Sequence, residues 1–232
     1  VNNGTFTSTA VLGLASYTDG TVSATTNAQT IGGSGVYRNL AAAPTANLTS
    51  LTVNNTTATG VTLSVPLSVS GTLTMTSGII NTTTTNLLTL GTATAAGILA
   101  GTPSATNMVR GPFARTIANA NANTNYLLFP VGKTTYAPIW AATATTAVSV
   151  MKAETFDTNT GTQSAAIANM VTNRRWELPL VSGTITDINV RVGDAGILAT
   201  SIPVQAPSAA GEYTSTFSSV ATAVAGVSTQ ST

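Results

Sequence analysis

Val61-Thr62-Leu63-Ser64-Val65-Pro66-Leu67-Ser68-Val69 sets an aliphatic side chain at every second position. Successive side chains of an extended chain point to opposite faces, so this run reads as a strand with one face buried. Pro66 falls on the other face. It has no N–H for a ladder, which moves the strand to an edge or a bulge.

The same chemistry recurs on either side as a loose repeat. Leu51-Thr52-Val53 is followed by Gly60-Val61-Thr62-Leu63, Leu73-Thr74-Met75 by Gly78-Ile79-Ile80, and Leu88-Thr89-Leu90 by Gly97-Ile98-Leu99. Each unit reads as a short strand, a Gly-marked turn or bulge, and a second short strand. Strict solenoids hold one period, and these unit starts are unevenly spaced. An irregular β-solenoid and an antiparallel β-sandwich therefore both fit this N-terminal part. Thr82 to Thr85 reads either as a stacked hydroxyl ladder or as an exposed turn.

Composition bounds the rest. Of 232 residues only 6 % are charged, eight basic and seven acidic, and there is no Cys or His. That removes Ser-His-Asp and Cys-His nucleophiles and Cys/His zinc sites. A net charge of +1 spread over few cations makes no basic stripe, so nucleic acid is not an expected partner. Mean hydropathy is +0.29, yet no apolar run approaches the ~18 residues of a transmembrane helix. The absence of aromatics from Arg38 to Gly111 speaks against the aromatic girdles of an outer-membrane barrel. Disorder combines low hydrophobicity with high net charge, whereas 43 % of this chain is hydrophobic and much of it β-branched. Val, Ile and Thr suit a pleated, half-buried surface. The fold class is all-β.

Thirteen of the 15 charges lie from Arg110 onward, and all aromatics but Phe6, Tyr17 and Tyr37 lie beyond Gly111. That step, with Gly101-Thr102-Pro103-Ser104 before it, divides the chain into a Thr-rich uncharged β-repeat region, 1–105, and a β-sandwich domain, 106–232. In the second part Tyr126–Phe129, Ala147–Met151, Arg175–Leu178, Ile185–Val192 and Ile197–Val204 are the expected strands, separated by Gly, Pro and Asp turn signals. Ser164 to Met170 is the one helical candidate. The chain starts Val1-Asn2-Asn3-Gly4, with neither an initiator Met nor a charged-then-apolar leader, and reads as a mature or processed fragment.

Four segments in order carry a resemblance. Gly71-Thr-Leu-Thr-Met-Thr-Ser-Gly-Ile-Ile-Asn-Thr82 with Asn86-Leu-Leu-Thr-Leu-Gly91 resembles the "GTLTLTNG" and "NLLTLG" signature of secreted Bacteroidetes cell-surface proteins. Arg110-Gly-Pro-Phe-Ala-Arg115 resembles their "NGPLRR" segment, and Tyr126-Leu-Leu-Phe-Pro-Val-Gly-Lys133 with Tyr136-Ala-Pro138 their "FPVGK" segment. Asn173-Arg-Arg-Trp-Glu-Leu178 is similar to their "NRYW" strand. The resemblance implies an exported, surface-anchored, adhesive or architectural protein, often sent out by the type IX route. Extracellular or cell-surface localisation is the expectation.

Carboxylate catalysis is the enzymatic mechanism that the inventory permits, with Glu154, Glu177 and Glu212 available. Nothing in their spacing pairs them, and no catalytic residue, metal site or cofactor is expected. Asp157-Thr158-Asn159-Thr160-Gly161 has the start of a calcium loop, but a single anion there reads as an Asx-favoured turn. Alternation along Arg174-Arg175-Trp176 turns Trp176 inward and Arg175 outward, one Arg pairing with Glu177 or Asp187. Lys152 near Glu154 raises an isopeptide crosslink, and the sequons at Asn55 and Asn81 are compatible with glycosylation.

The leading functional expectation is a structural subunit that self-assembles into a filament, sheath or surface coat, its partners being copies of itself. More than seventy residues lack the charges that usually blunt strand edges. The terminal segments Thr5 to Leu14 and Tyr213 to Val220 read as spare strands for a neighbour's sheet, with Thr5, Phe6, Leu12, Leu14, Tyr213, Phe217 and Val220 as assembly residues. The alternative is an adhesin or carbohydrate-binding module that presents Trp140, Tyr136 or Trp176 to surface glycans.

Overall fold

The computed structural model describes residues 11–12, 28–31, 46–167, 170, 173–197, 201, 203–214, 219–220 and 227–231. At 11–12, 28–31, 46, 219–220 and 227–231 it describes the backbone alone. These residues are all-β, without a helix among them. The chain divides into two compact units, Val1–Thr116 and Ile117–Thr232.

The first unit winds through β1 (Val11–Leu12), β2 (Ala28–Ile31), β3 (Ala46–Asn54), β4 (Val61–Leu63) and β5 (Leu67–Ser77). It continues through β6 (Ile80–Asn81), β7 (Leu88–Leu90), β8 (Ile98–Gly101), β9 (Val109–Arg110) and β10 (Phe113–Ile117). Every pairing among these strands is parallel. One row runs β1–β4–β6–β9. The other runs β2–β3–β5, then splits: β7 lies on the first part of β5, β8 on the second, and β10 on β7. The N-terminal part is thus a stack of β-solenoid-like coils rather than an antiparallel sandwich.

Val61, Leu63, Val65, Leu67 and Val69 are all buried, but they do not form one strand. The chain turns a corner at Ser64–Pro66, between β4 and β5. In a coil both walls send alternate residues into one core, so the alternation runs on across the corner. Pro66 sits there without breaking a ladder bond.

The repeat also shifts. Leu88-Thr89-Leu90 stacks on Leu67-Ser68-Val69, and Leu73 stacks on Leu99 instead. The reason is an excursion between β7 and β8, closed by the Gly91–Ala96 bridge, which splits one long rung into two.

Short polar side chains tie each coil to its neighbour. Asn81 Nδ2 donates to Thr59 O (2.7 Å), Asn86 Nδ2 to Leu63 O (3.0 Å) and Asn107 Nδ2 to Met75 O (2.8 Å). Buried Thr82 donates its hydroxyl to Pro112 O at 2.7 Å, while Thr83–Thr85 form an exposed turn closed by Asn86. At Gly78 the backbone needs φ +99°, and an added Cβ would stand 2.1 Å from Asn55 O in the adjacent coil. Only glycine fits such an approach.

The second unit holds β11 (Leu127–Phe129), β12 (Val131–Gly132), β13 (Ile139–Thr145), β14 (Ser149–Phe156), β15 (Thr162–Gln163) and β16 (Arg175–Glu177). After these come β17 (Leu180–Ser182), β18 (Ile185–Gly193), β19 (Glu212–Tyr213), β20 (Ser219–Val220) and β21 (Val227–Ser231). An antiparallel sheet runs β11–β13–β18–β21–β20. β14 pairs antiparallel with β16 and β17, and β15 pairs parallel with β19. Phe129, Ile139, Ala141, Met151 and Ala153 are buried at the centre of this unit. The strand expected at Ile197–Val204 is absent among its described residues. Ile197 instead closes a turn by donating its N–H to Asp194 O at 3.1 Å. Within the helical candidate the described residues make one turn, Ile167 N–H to Ser164 O.

Candidate functional site

The charged residues of the second unit gather where β14 meets β16. β14 alternates strictly, with Ser149, Met151, Ala153 and Thr155 buried and Val150, Lys152, Glu154 and Phe156 on the half-buried face. The ladder sets Glu154 opposite Glu177, Thr155 opposite Trp176 and Phe156 opposite Arg175. Like charges directly opposite each other are destabilising. Each carboxylate here has its own cation: Lys133 Nζ lies 2.6 Å from Glu154 Oε1, and Arg175 Nε lies 3.0 Å from Glu177 Oε1. Between them is the Phe156 ring, with the Arg175 guanidinium 3.8 Å and Lys133 Nζ 5.3 Å from its centroid. A cation over an aromatic face is attracted by the ring quadrupole.

On the opposite face Thr155 Oγ1 and Trp176 Nε1 both donate to Ala137 O, at 2.8 and 3.0 Å. Trp176 is therefore turned toward the unit's interior and Arg175 away from it. Sequence spacing does not pair Glu154 with Glu177; the β14–β16 ladder does. Glycosidase chemistry needs a sugar between two carboxylates, whereas these two are engaged by Lys133, Arg175 and the intervening ring. The arrangement fastens strands.

A second ionic group extends the first. Arg174 bridges Asp157 and Asp194, its Nε 3.2 Å from Asp194 Oδ1, and its Nη2 donates to Thr135 Oγ1 at 2.6 Å. Asp157 Oδ2 accepts the Thr134 N–H (3.2 Å) and hydroxyl (2.7 Å). Both carboxylate oxygens thus face protein donors. Asn159 Oδ1 accepts the Gly161 N–H and the Tyr213 hydroxyl. The segment is an Asx turn, and no cluster of three metal-ligating side chains occurs among the described residues.

Burial by itself would raise the Asp157 carboxyl. The Thr134 hydroxyl and N–H, then Arg174, outweigh it and hold the group below its ordinary value. A depressed carboxyl adds stability that is fully present above its unfolded value, about 3.9, and is lost as pH falls through the lower folded value. The protection factor of the Thr134 amide, its exchange measured against the intrinsic rate at each pH, is expected to drop as pH falls below ~4. In Asp157→Asn that protection is expected to be low already at neutral pH.

The aromatic candidates do not form one strip. Tyr136 is half-buried, and burial pushes its hydroxyl up to about 12. Trp140 lies on β13, opposite Leu128 of β11 and Arg191 of β18. Arg191 in turn stacks its guanidinium 3.5 Å over the Tyr126 ring. Asn189, two pairs further along β18, donates to Asn123 O at 2.6 Å. Neither Tyr126 nor Arg191 stood among the sequence candidates, because their meeting depends on β11, which Tyr126 immediately precedes, and β18 both pairing with β13.

Of the assembly candidates, Leu12 in β1 stands opposite Leu63, Tyr213 in β19 opposite Gln163, and Val220 in β20 opposite Gln230. Thr5, Phe6, Leu14 and Phe217 lie outside the described residues. The cation at Glu154 is Lys133, not Lys152, whose N–H bonds Pro179 O. Asn55 of the first sequon is buried and its Oδ1 accepts from Thr57. Glu212 is exposed on β19, opposite Thr162.

These features define an all-β protein that joins stacked parallel coils to an antiparallel sheet. Comparison with protein families, with curated proteins and with solved structures finds no match for this chain.

Proposed function

We propose that the chain is an extracellular structural subunit that assembles with copies of itself into a filament, sheath or surface coat. The observation that carries this reading is the coil stack, built without a single ionisable side chain between Arg38 and Arg110. Its half-buried strand positions bear hydroxyls, such as Thr49, Ser50, Thr52, Ser68, Thr72 and Thr74, and its exposed ones include the amides Asn47 and Asn54. Such a surface lacks the Lys and inward charges that keep strand edges apart, and near-zero net charge removes repulsion between molecules. The resemblance to secreted surface proteins points the same way. Electron microscopy of the full chain at neutral pH is expected to show ordered polymers. Dispersed monomers at every concentration would count against the proposal.

A second reading is favoured by Trp140 beside Arg191 and Tyr126: an adhesin or glycan-binding module. Aromatic faces and guanidinium groups suit sugar rings and their hydroxyls. A glycan array with Trp140→Ala and Trp176→Ala variants separates the two. On the glycan-binding reading, Trp140→Ala loses saturable binding and inward-turned Trp176→Ala keeps the same ligand preference. Absence of saturable binding favours architecture.

A further inference from the structure

The row β2–β3–β5–β8 keeps one register through four strands. Its columns are Ala28–Ser50–Thr72–Ile98, Gln29–Leu51–Leu73–Leu99, Thr30–Thr52–Thr74–Ala100 and Ile31–Val53–Met75–Gly101. β7 is covered by β10. Among the described residues no strand lies on the outer edge of β8.

The side chains record that missing rung. Leu51 and Leu73 are 2 % and 0 % exposed, whereas Leu99 at the end of their column is half-buried. In the neighbouring column Ser50 and Thr72 are followed by Ile98, which is 65 % exposed. A solenoid end needs a polar cap to stay soluble, and an apolar, uncharged edge strand is a template for pairing. Polar side chains engage carbonyls on either side of this edge. Arg115 Nη2 donates to Gly97 O (3.3 Å) and Asn107 Nδ2 to Thr102 O (3.2 Å), framing a gap the length of β8.

We infer that the outer edge of β8 accepts a parallel strand from a second copy of this chain, and that this strand is β2. The inference rests on the self-assembly reading and names its contact. β2 is the opposite end of the same ladder, equal in length to β8 and running in the same direction. No strand among the described residues lies on its outer edge. Joining β8 to β2 of the next copy repeats between molecules the pairing that β5 and β8 make within one. Ala28 then falls opposite Ile98 and Ile31 opposite Gly101. The two surfaces differ, so the contact is head-to-tail, and because it continues the ladder along the stacking direction it gives an open filament rather than a ring.

The chain has no Cys, which makes disulfide mapping clean. Ala28 and Ile98 of one chain are three rungs apart, about 14 Å at the usual strand spacing, too far for a bond within a molecule. Oxidised Ala28→Cys/Ile98→Cys chains are expected to give a ladder of covalent multimers, and either single variant no more than dimers. Ile98→Lys is expected to raise the critical concentration for assembly about tenfold or more, with unchanged circular dichroism. Ile98→Thr, which restores the hydroxyl of Ser50 and Thr72, serves as a second folded control and weakens assembly less. Wild-type polymers that persist in Ile98→Lys, with no disulfide ladder in the double variant, would overturn the β8–β2 contact and leave the subunit reading standing. A wild-type chain that never assembles would overturn both.

Discussion

Gly78→Ala is expected to destabilise the coil stack by about 3 kcal/mol or more. Two penalties coincide at this position. The backbone sits at φ +99°, where an L side chain strains against its own carbonyl. The new methyl would also stand 2.1 Å from Asn55 O, and that atom belongs to backbone that cannot swing aside. Relieving the clash means parting two coils beside the bond from Asn55 N–H to Ser77 O, 3.0 Å in the native stack. Urea unfolding of the full chain, followed by circular dichroism, reads the loss as a lower midpoint. Ser77→Ala, one residue earlier, removes only an exposed hydroxyl bond to Asn54 and is expected to cost under about 1 kcal/mol. Equal midpoints for the two variants would show that the close approach at Gly78 relaxes freely.

Leu73→Ala is expected to cost about 3 kcal/mol through a cavity that the stack cannot collapse into. Leu73 is fully buried between Leu51 and Leu99, and its rung is pinned on both sides by parallel ladders. Coils held at the fixed strand spacing have little freedom to close a void. Its neighbour Thr74 is half-buried on the other face, and Thr74→Ala is expected to move the midpoint by less than about a third as much. A Leu73→Ala midpoint within error of Thr74→Ala would contradict the burial pattern.

The alternation at Val61–Val69 showed which side chains enter the core, because inward and outward positions alternate in any extended chain. It did not show the corner at Ser64–Pro66, since a coil keeps its periodicity while it changes walls. The register of the repeat was hidden for a related reason. Leu88-Thr89-Leu90 and Leu73-Thr74-Met75 are locally alike, and only the rung each one pairs with tells them apart. β13 was missed because Ile139-Trp-Ala-Ala-Thr-Ala-Thr145 is rich in Ala, a poor strand former; its place in the sheet comes from its pairing with β11 and β18. At the candidate site the Arg175–Glu177 pair follows from two residues on one face of a strand. Lys133 with Glu154 and Arg191 with Tyr126 depend on contacts far apart in sequence, which no local pattern reports.

The parallel rungs also set how the first unit answers a mechanical load. Its ladder hydrogen bonds point along the stacking direction, from coil to coil. Tension along that direction meets the rungs in series, so one opens before the next and the force stays low. Tension along the strands loads the bonds of several rungs together in shear, and they must yield at once. The unit is therefore soft on one axis and stiff on the other, an anisotropy that comes from the direction of winding rather than from any particular side chain.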